Sequence, residues 1–321
     1  MAFYTPSFTE QNQTFTNTVG MTAYWPLMAR LQHELYSLYG PAIWQVGNQT
    51  NLSEATAEML EFVLGNFDVS AISADLLWQR MPYIAPQLYE RMLSGLIRAD
   101  LLVMKEDGRF QFTDPARKIG WQIFKAKHHR LGQLQFLPTE QLEELAYILH
   151  RLVHASQVAA YPIIKRWLMS RCTYLAVTAP PLAQIVENLA NLDAFRDDCH
   201  LAAWQQHGVD AHTWEAFTLL WQQGSLTPGE VAEQLNVRGY HPADYHMALQ
   251  TLTDRQWVTQ QADTYQLTPQ GRHIRNEVEQ LTNDTFYAPW ACLRGNELAK
   301  LYKLLTNLKT AVTPNQPTIL A

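Results

Sequence analysis

Apolar residues recur every three or four positions along most of the chain, which is the pattern of amphipathic helices. Two stretches with this period, Thr139 to His154 and Asn296 to Leu308, carry continuous leucine stripes. Only short stretches alternate between apolar and polar residues, as the strands of β-hairpins do. The pattern therefore predicts a mainly α fold that includes a few small hairpins.

The chain repeats itself at a nearly constant spacing. The segments Phe110 to Ile119 and Tyr265 to Ile274 share the pattern aromatic, Gln, apolar, Thr, two variable residues, small, Arg, variable, Ile, at an offset of 155 residues. Leucines in the two halves also match, at an offset of 156: Leu93, Leu96, Leu137, Leu142, Leu145, Leu149 and Leu152 fall opposite Leu249, Leu252, Leu293, Leu298, Leu301, Leu305 and Leu308. This spacing indicates an internal duplication, although leucine-rich helices alone reproduce part of the match.

Each copy predicts three helices followed by a β-hairpin, which is the order of a winged helix-turn-helix module. In the second copy, Thr227-Pro228-Gly229-Glu230 supplies an N-cap, a first-turn proline and a capping-box acid. A helix from Pro242 to Arg255 follows it. The hairpin strands are predicted at Leu101 to Met104 and Arg109 to Phe112 in the first copy, and at Trp257 to Thr259 and Thr264 to Leu267 in the second.

Five segments follow from these patterns. They are an N-terminal helical extension (1–52), winged-helix module 1 with long C-terminal helices (53–156), a helical connector (157–210), winged-helix module 2 with long C-terminal helices (211–311) and a tail (312–321). A leucine stripe along a whole helix face needs a partner. The simplest partner for each leucine-striped helix is the other one, which predicts a pseudo-dimer within a monomeric chain; packing of each helix on its own domain is the alternative.

The residues that follow the second hairpin resemble a sequence signature of a known family. Leu267-Thr268-Pro269-Gln270-Gly271-Arg272 is similar to the leucine, threonine, x, x, glycine, arginine signature that joins the wing to the dimerisation helix in MarR-type regulators. The resemblance covers roughly 53–156 and 211–311, and related winged-helix families share this wing exit. The first copy departs from it with Ala116 at the glycine position. The wing of that family often has an aspartate-x-arginine pair. The first copy has this pair as Asp107-Gly108-Arg109, closer to the wing exit than usual, and the second copy lacks it.

This resemblance implies a transcriptional regulator that binds double-stranded DNA. MarR-type proteins often bind a small apolar ligand between their dimerisation and DNA-binding parts, so a ligand pocket is also implied. The aromatic residues predicted to line such a pocket are Tyr24, Trp25, Tyr36, Trp121, Trp167 and Trp204. Ordinary core packing is the alternative interpretation of these side chains.

Charge decides which copy is the better candidate for DNA binding. The net charge of the chain is −6, so DNA contact requires a local basic patch. From Arg91 to Arg130 there are nine basic and four acidic residues, whereas from Arg238 to Val278 there are four of each. The first copy is therefore the predicted DNA-binding module, although a simply solvated helix face also explains the lysines beyond its wing. Its predicted DNA-contact residues are Gln87, Arg91, Arg98, Lys105 and Arg109.

Candidate catalytic chemistry is sparse. Asp197, Asp198 and His200 include the side-chain types that bind metals, although the two acids equally fit a helix cap. The common nucleotide, cofactor and hydrolase signatures do not occur in the sequence, so neither an enzyme nor a cofactor is expected. The functional hypotheses are thus a DNA-binding regulator, a winged-helix scaffold that binds protein or a small molecule without DNA, and a metal-dependent enzyme.

The cysteines and the apolar segments indicate the cellular compartment of the protein. Cys172, Cys199 and Cys292 are far apart and form no C-x-x-C pair, which disfavours a disulfide framework and a structural zinc site. The first twenty residues have no export signal, and no stretch is apolar over the roughly 18 residues of a membrane helix. We therefore expect a cytoplasmic protein with no membrane contact.

Overall fold

The computed structural model describes residues 20–67, 72–171 and 179–313, and this part is mainly helical with small antiparallel sheets, as the apolar pattern predicts. The chain divides into two compact units. Unit 1 comprises Met1–Asp68, Pro115–Asp197 and Phe286–Ala321. Unit 2 comprises Val69–Asp114 and Asp198–Thr285. Among the described residues, no helix has both the length and the apolar character of a membrane span.

Helices alternate with a few short strands along the chain. The helices are α1 (Tyr24–Gln49), α2 (Glu54–Asn66), α3 (Ala74–Arg80), α4 (Pro86–Arg98), α5 (Asp114–Gly132), α6 (Thr139–Val158), α7 (Arg166–Ser170), α8 (Pro181–Trp204), α9 (Ala211–Gln223), α10 (Pro228–Gln234), α11 (Pro242–Asp254), α12 (Pro269–Tyr287) and α13 (Gly295–Val312). The strands are β1 (Leu102–Met104), β2 (Phe110–Phe112), β3 (Ser225–Leu226), β4 (Val258–Gln261) and β5 (Thr264–Leu267).

Local sequence signals explain several helix ends. The predicted capping box at the start of α10 is confirmed: the Glu230 N–H donates to Thr227 Oγ1, and the Glu230 carboxylate accepts the Thr227 N–H. Ser73 caps α3 in a similar way, since its hydroxyl accepts the N–H of Leu76 at 3.1 Å. Both caps satisfy backbone donors that a helix cannot pair internally.

Unit 2 holds both predicted hairpins. β1 pairs antiparallel with β2, and Ile72 forms a single bridge to Phe110 of β2. β4 pairs antiparallel with β5, and β3 pairs with the other edge of β5. Each hairpin follows a helix pair, α3–α4 in one segment and α10–α11 in the other, and α9 packs against α11. α2, which precedes α3 in the chain, belongs to unit 1, so the compact units divide the chain differently from the predicted modules.

The two helix–hairpin segments share a local geometry at the end of their second helix. Asp100 and Gln256, 156 residues apart, both adopt a left-handed backbone, with φ of 55° and 62°. The Thr113 hydroxyl donates to the Asp100 carbonyl at 2.8 Å, and the Thr268 hydroxyl donates to the Gln256 carbonyl at 2.7 Å. Residues 155 or 156 apart in the sequence thus adopt equivalent local structures at this point of each segment.

Unit 1 contains the two leucine-striped helices. α6 contacts α13, and both helices have fully buried leucines, among them Leu149 and Leu305. Ion pairs join the helix surfaces, with Glu144 bound to Lys300 and Arg151 bound to a carboxylate near the start of α13. α1 packs against both α2 and α13. The leucine stripes are therefore buried inside the chain rather than solvated.

A cluster of buried charges, the Lys127 cluster, connects α2, α5, α8 and the residue after α7. Lys127 Nζ lies 3.0 Å from Glu61 Oε1 and 2.8 Å from Glu187 Oε1, and Arg171 Nη2 donates to Glu187 Oε2 at 2.9 Å. Burial opposes charge on Lys127, but Glu187 and Glu61 outweigh it and raise the pKa of Lys127. Burial also opposes charge on Glu187, but Lys127 and Arg171 lower the pKa of Glu187 to about 2. The cluster is therefore charged and internally paired at neutral pH.

Candidate nucleic-acid interface

The predicted DNA-contact residues all lie in unit 2, on α4 and on the β1–β2 hairpin. Gln87, Arg91 and Arg98 are exposed on α4, whereas Tyr89 and Leu93 on the opposite face are buried. This helical amphipathicity fixes which side chains point outwards. An exposed face with amide and guanidinium groups has the chemistry that contacts base edges and phosphates.

The wing holds Arg109 in a defined position. Arg109 Nε and Nη2 donate to Asp107 Oδ2 at 2.8 and 2.6 Å, and the Arg109 N–H donates to Asp107 Oδ1 at 3.0 Å. Hydrogen bonds from Arg109 lower the pKa of Asp107, so the carboxylate stays charged. Lys105 is exposed at the same turn. The wing thus presents an ordered arginine whose charge is balanced by its own aspartate.

The basic stretch from 91 to 130 consists of two unlike parts. Residues 91–114, in unit 2, have four basic and four acidic side chains, so α4 and the wing are balanced. Residues 115–130, in unit 1, have five basic side chains and no acidic one, and the buried Lys127 is among the five. The sequence count therefore overstated the positive charge of α4 and the wing. The excess of positive charge lies on α5.

An open cleft of about 490 Å³ lies in unit 2 between α4 and the α10–α11 segment. Arg91 forms part of one wall, and Asn236, Tyr240 and His241 line the other. Burial raises the pKa of Tyr240 to about 12, so its hydroxyl stays protonated and can donate a hydrogen bond. Arg91, the predicted base-contacting arginine of the first segment, therefore faces residues of the second.

The beginning of α4 contacts the turn before α11. The Ala85 N–H donates to the Arg238 carbonyl at 2.8 Å. Gly239 has φ +80° and adjoins Leu88, where a Cβ would lie 2.5 Å from Leu88 Cδ1. Because Arg238 is four residues before Pro242, the N-terminal ends of α4 and α11 lie within about 20 Å of each other at 3.6 Å per residue. Two-fold helix-turn-helix dimers place these ends about 34 Å apart, so this arrangement departs from the dimer that the MarR resemblance implies.

A half-buried ion pair fixes that turn. Arg238 Nε and Nη2 donate to Glu215 Oε1 at 2.9 and 2.6 Å. Burial raises the pKa of Glu215, although Arg238 acts in the opposite direction. The Arg238 guanidinium also lies 5.9 Å from the centre of the Tyr83 ring. The turn between α10 and α11 is thus held by side chains on both of its sides.

The exposed face of α11 has no lysine or arginine, and the carboxylates of the helix lie near its two ends, at Asp244 and Asp254. The face also presents Ala243, His246, Met247 and Gln250. The amide of Gln250 lies 3.0 Å from His246 Nε2. Because phosphate neutralisation by lysine and arginine supplies most non-specific affinity, α11 has little to attract a DNA backbone.

Three of the aromatic residues predicted to line a ligand pocket, Tyr24, Trp25 and Tyr36, lie in unit 1. Tyr24 is buried. The Trp25 ring lies 4.9 Å from the Arg196 guanidinium. The Tyr36 hydroxyl donates to Glu58 Oε1 at 2.5 Å. None of these residues lines the unit 2 cleft.

The remaining three predicted pocket residues differ among themselves. Trp167 is buried in unit 1 beside Phe67. Trp204 is buried in unit 2 and stacks on Trp214, with ring centroids 5.8 Å apart. Trp121 is 55% exposed on α5. Three of the six aromatic residues, Tyr24, Trp167 and Trp204, are thus buried. Trp25 and Tyr36 are half-buried, and Trp121 lies on the surface.

The predicted metal ligands lie on α8. Asp197 is the last residue of its unit 1 segment, whereas Asp198 and His200 belong to unit 2. His200 Nδ1 lies 3.3 Å from the Thr282 hydroxyl. Within the part of the chain that the structure describes, no three His, Cys, Asp or Glu side chains are placed to hold a metal ion. Cys172 lies outside the described residues.

Two consecutive helices that pack on each other are the core of a helix-turn-helix segment. α10 contacts α11 across a connection that contains a short 3-10 turn at Asn236–Arg238, and the β4–β5 hairpin follows. The sequence profile of a helix-turn-helix family matches residues 122–318, more than half of the chain, and the protein belongs to this family. The match includes α9–α11 and excludes α3 and α4. Neither a curated protein nor a solved structure matched the chain significantly. At a coarse level, this membership suggests a DNA-binding regulator.

Proposed function

We propose that the protein is a DNA-binding transcriptional regulator that contacts duplex DNA through unit 2, with α4 as its recognition helix. The observation that carries this proposal is the exposed α4 face with Gln87, Arg91 and Arg98, in a chain of a helix-turn-helix family. Arginine recognises guanine and glutamine recognises adenine by paired hydrogen bonds in the major groove. α11 lacks cations, so α4 is the better candidate of the two helices.

We also infer that the chain is an internally duplicated winged-helix protein in which α6 and α13 form a pseudo-dimer, and that it differs from the MarR-type dimer it resembles in the close approach of α4 to α11. Glu144 of α6 and Lys300 of α13 support the pseudo-dimer, because they occupy equivalent positions 156 residues apart and bind each other. In a two-fold arrangement, a residue near the axis contacts its own equivalent. The shared geometry at Asp100 and Gln256 is a second, independent support.

Exchanging the charges of this pair tests the pseudo-dimer. Glu144→Lys and Lys300→Glu should each lower the free energy of unfolding by up to about 1 kcal/mol, because each places like charges together on a partly exposed surface. The double variant should recover most of the loss in urea unfolding followed by circular dichroism. Lys303→Glu on the exposed side of α13 should not be rescued by Glu144→Lys. Additive losses in the double variant would contradict the pairing.

Charge reversal on α4 tests the proposed DNA contact. Binding to mixed duplex fragments, followed by fluorescence anisotropy, should weaken steeply as salt rises. Arg91→Glu should reduce the affinity by about 5- to 150-fold, since loss of one good base contact is worth about 1–3 kcal/mol. Lys303→Glu, a matched charge reversal in unit 1, should leave the affinity nearly unchanged. A wild-type protein that binds no duplex at low salt would overturn the proposal.

The second candidate function is a winged-helix scaffold that binds a protein or a small molecule without DNA. The balanced charge of residues 91–114 and the contact of Ala85 with Arg238 favour it. A variant with both Arg91→Glu and Arg109→Glu that retains the cellular role of the protein would support this candidate. A small-molecule effector of the kind that the MarR resemblance implies would have to bind away from the three buried aromatic residues.

A further inference from the structure

Helix α5 has an uninterrupted run of positive charge. Residues 115–139 contain five lysines and arginines and no aspartate or glutamate. One of these cations, Lys127, is buried and paired inside unit 1. The others, Arg117, Lys118, Lys125 and Arg130, are exposed. Because the chain as a whole is acidic, this helix is a local departure from the overall charge.

Five exposed residues of α5 form one continuous stripe, which begins one turn after the exposed Asp114 at the start of the helix. Lys118, Trp121, Gln122, Lys125 and His129 are spaced by three, one, three and four residues, which places them on the same helix face. The opposite face packs into unit 1. At 1.5 Å per residue, Lys118 and Lys125 stand about 10 Å apart along the helix axis. The stripe is therefore a linear surface of cations with an indole between them.

These cations lack ion partners within residues 20–67, 72–171 and 179–313. No described carboxylate forms an ion pair with Arg117, Lys118 or Lys125. On α6 and α13, by contrast, Arg151 is paired with a carboxylate and Lys300 with Glu144. Unneutralised cations in a row create a positive potential that attracts a polyanion. The charge pattern of α5 thus complements a chain of phosphates.

Trp121 indicates which class of polyanion the α5 stripe fits. It is 55% exposed at the centre of the stripe, although a tryptophan is usually buried. Its neighbours on this face, Lys118, Gln122 and Lys125, are polar, so the helix has no continuous apolar face to insert into a lipid bilayer. An exposed indole beside cations is suited to nucleic acid, since aromatic side chains stack on bases in positively charged nucleic-acid-binding grooves.

We propose that the α5 surface, formed by Arg117, Lys118, Trp121 and Lys125, binds the phosphate backbone of a nucleic acid and is a contact surface additional to the helix-turn-helix segments. This inference rests on the proposed DNA-binding function and assigns part of it to unit 1. The helix-turn-helix segments of unit 2 then supply the base contacts, and α5 supplies affinity that does not depend on sequence. Such a division explains why α4 and the wing have balanced charge.

The test compares two double variants of the full chain with equal loss of charge. Lys118→Gln with Lys125→Gln removes two cations of the α5 surface, and Lys303→Gln with Lys309→Gln removes two from α13. Duplex DNA binding is measured by anisotropy from 50 to 200 mM salt. The α5 variant should lose at least about tenfold in affinity and about two units of slope in log affinity against log salt, because each lost phosphate contact removes about one. The α13 variant should keep the wild-type slope. Circular dichroism verifies that both variants are folded.

The outcomes separate this inference from the proposed function. An unchanged slope in the α5 variant, with binding weakened by Arg91→Glu, overturns the α5 surface alone. A weakened α5 variant with no effect of Arg91→Glu supports the α5 surface and overturns α4 as the recognition helix. No duplex binding by the wild type overturns both proposals. Binding to phosphatidylserine vesicles that the α5 variant loses, with its DNA binding intact, assigns the surface to anionic lipid and overturns the inference.

Discussion

Replacing Glu187 by alanine is expected to lower the free energy of unfolding by about 3–5 kcal/mol, the usual effect of removing one member of a buried ion pair. Glu187 is buried on α8 and binds two cations, Lys127 at 2.8 Å and Arg171 at 2.9 Å. Its removal leaves Lys127 with Glu61 alone and deprives Arg171 of its carboxylate. The loss is large because two largely buried cations then share one carboxylate fewer, and Arg171 is left without a carboxylate and with little water.

Urea unfolding followed by circular dichroism measures this effect. The matched control is Glu143→Ala on the exposed face of α6, which should change the free energy of unfolding by no more than about 0.5 kcal/mol. Conversion of the cluster to apolar residues at all of its charged positions should be less harmful than the single change, since hydrophobic replacement of a whole buried ion pair is often neutral. A loss below about 1 kcal/mol for Glu187→Ala would contradict the role assigned to the Lys127 cluster.

The same cluster predicts a pH dependence. The pKa of Glu187 is lowered to about 2, so its stabilising contribution is present above the ordinary glutamate pKa and is lost as the pH falls towards 2. The pKa of Lys127 is raised, so its contribution is present below the ordinary lysine pKa and is lost as the pH rises through the raised value. The stability difference between wild type and Glu187→Ala should therefore be constant near neutral pH and shrink below about pH 4.5.

Local elements were predictable from the sequence because their causes are local. The start of α10 follows from Thr227 and Glu230, which satisfy each other's backbone N–H groups within four residues. The helices α6 and α13 begin at or within one residue of their predicted starts. The hairpins also match within one or two residues, because their alternating strands are short and bounded by polar turns. Whether these elements form two duplicated winged modules stays a prediction.

Contacts between residues distant in the chain were not predictable. Lys127 and Glu187 are 60 residues apart, and no local pattern associates them. The position of Lys127 on the buried side of α5 did have a signal, because it follows Ile123 and Phe124 and precedes Leu131 by helical spacing. The absence of acids between 115 and 139 was likewise visible in the sequence. The charge count over residues 91–130 concealed both the buried position of Lys127 and the run without acids.

The glycine of the Leu-Thr-x-x-Gly-Arg signature has a steric reason in this structure. Gly271 lies in the first turn of α12, and a Cβ there would be 2.0 Å from the Trp257 carbonyl oxygen. That oxygen is a backbone atom and cannot rotate away. It is also held in place, since it accepts the Thr268 N–H at 3.0 Å and the Thr268 hydroxyl at 3.2 Å. Relief of the contact therefore requires the helix and the first wing strand to separate.

Gly271→Ala is accordingly expected to lower the free energy of unfolding by about 3 kcal/mol, the upper part of the range for overpacking a close contact. The sign is the reverse of the usual one, because alanine ordinarily favours a helix over glycine by about 1 kcal/mol. Gly295→Ala is the matched control: Gly295 begins α13, a Cβ there meets no atom within 4 Å, and this variant should be neutral or slightly more stable. Thermal and urea unfolding of both variants measure the difference. A Gly271→Ala variant as stable as wild type would mean that α12 and the Trp257 carbonyl are not held together as closely as the Thr268 hydrogen bonds require. The steric reason for the signature glycine would then be wrong.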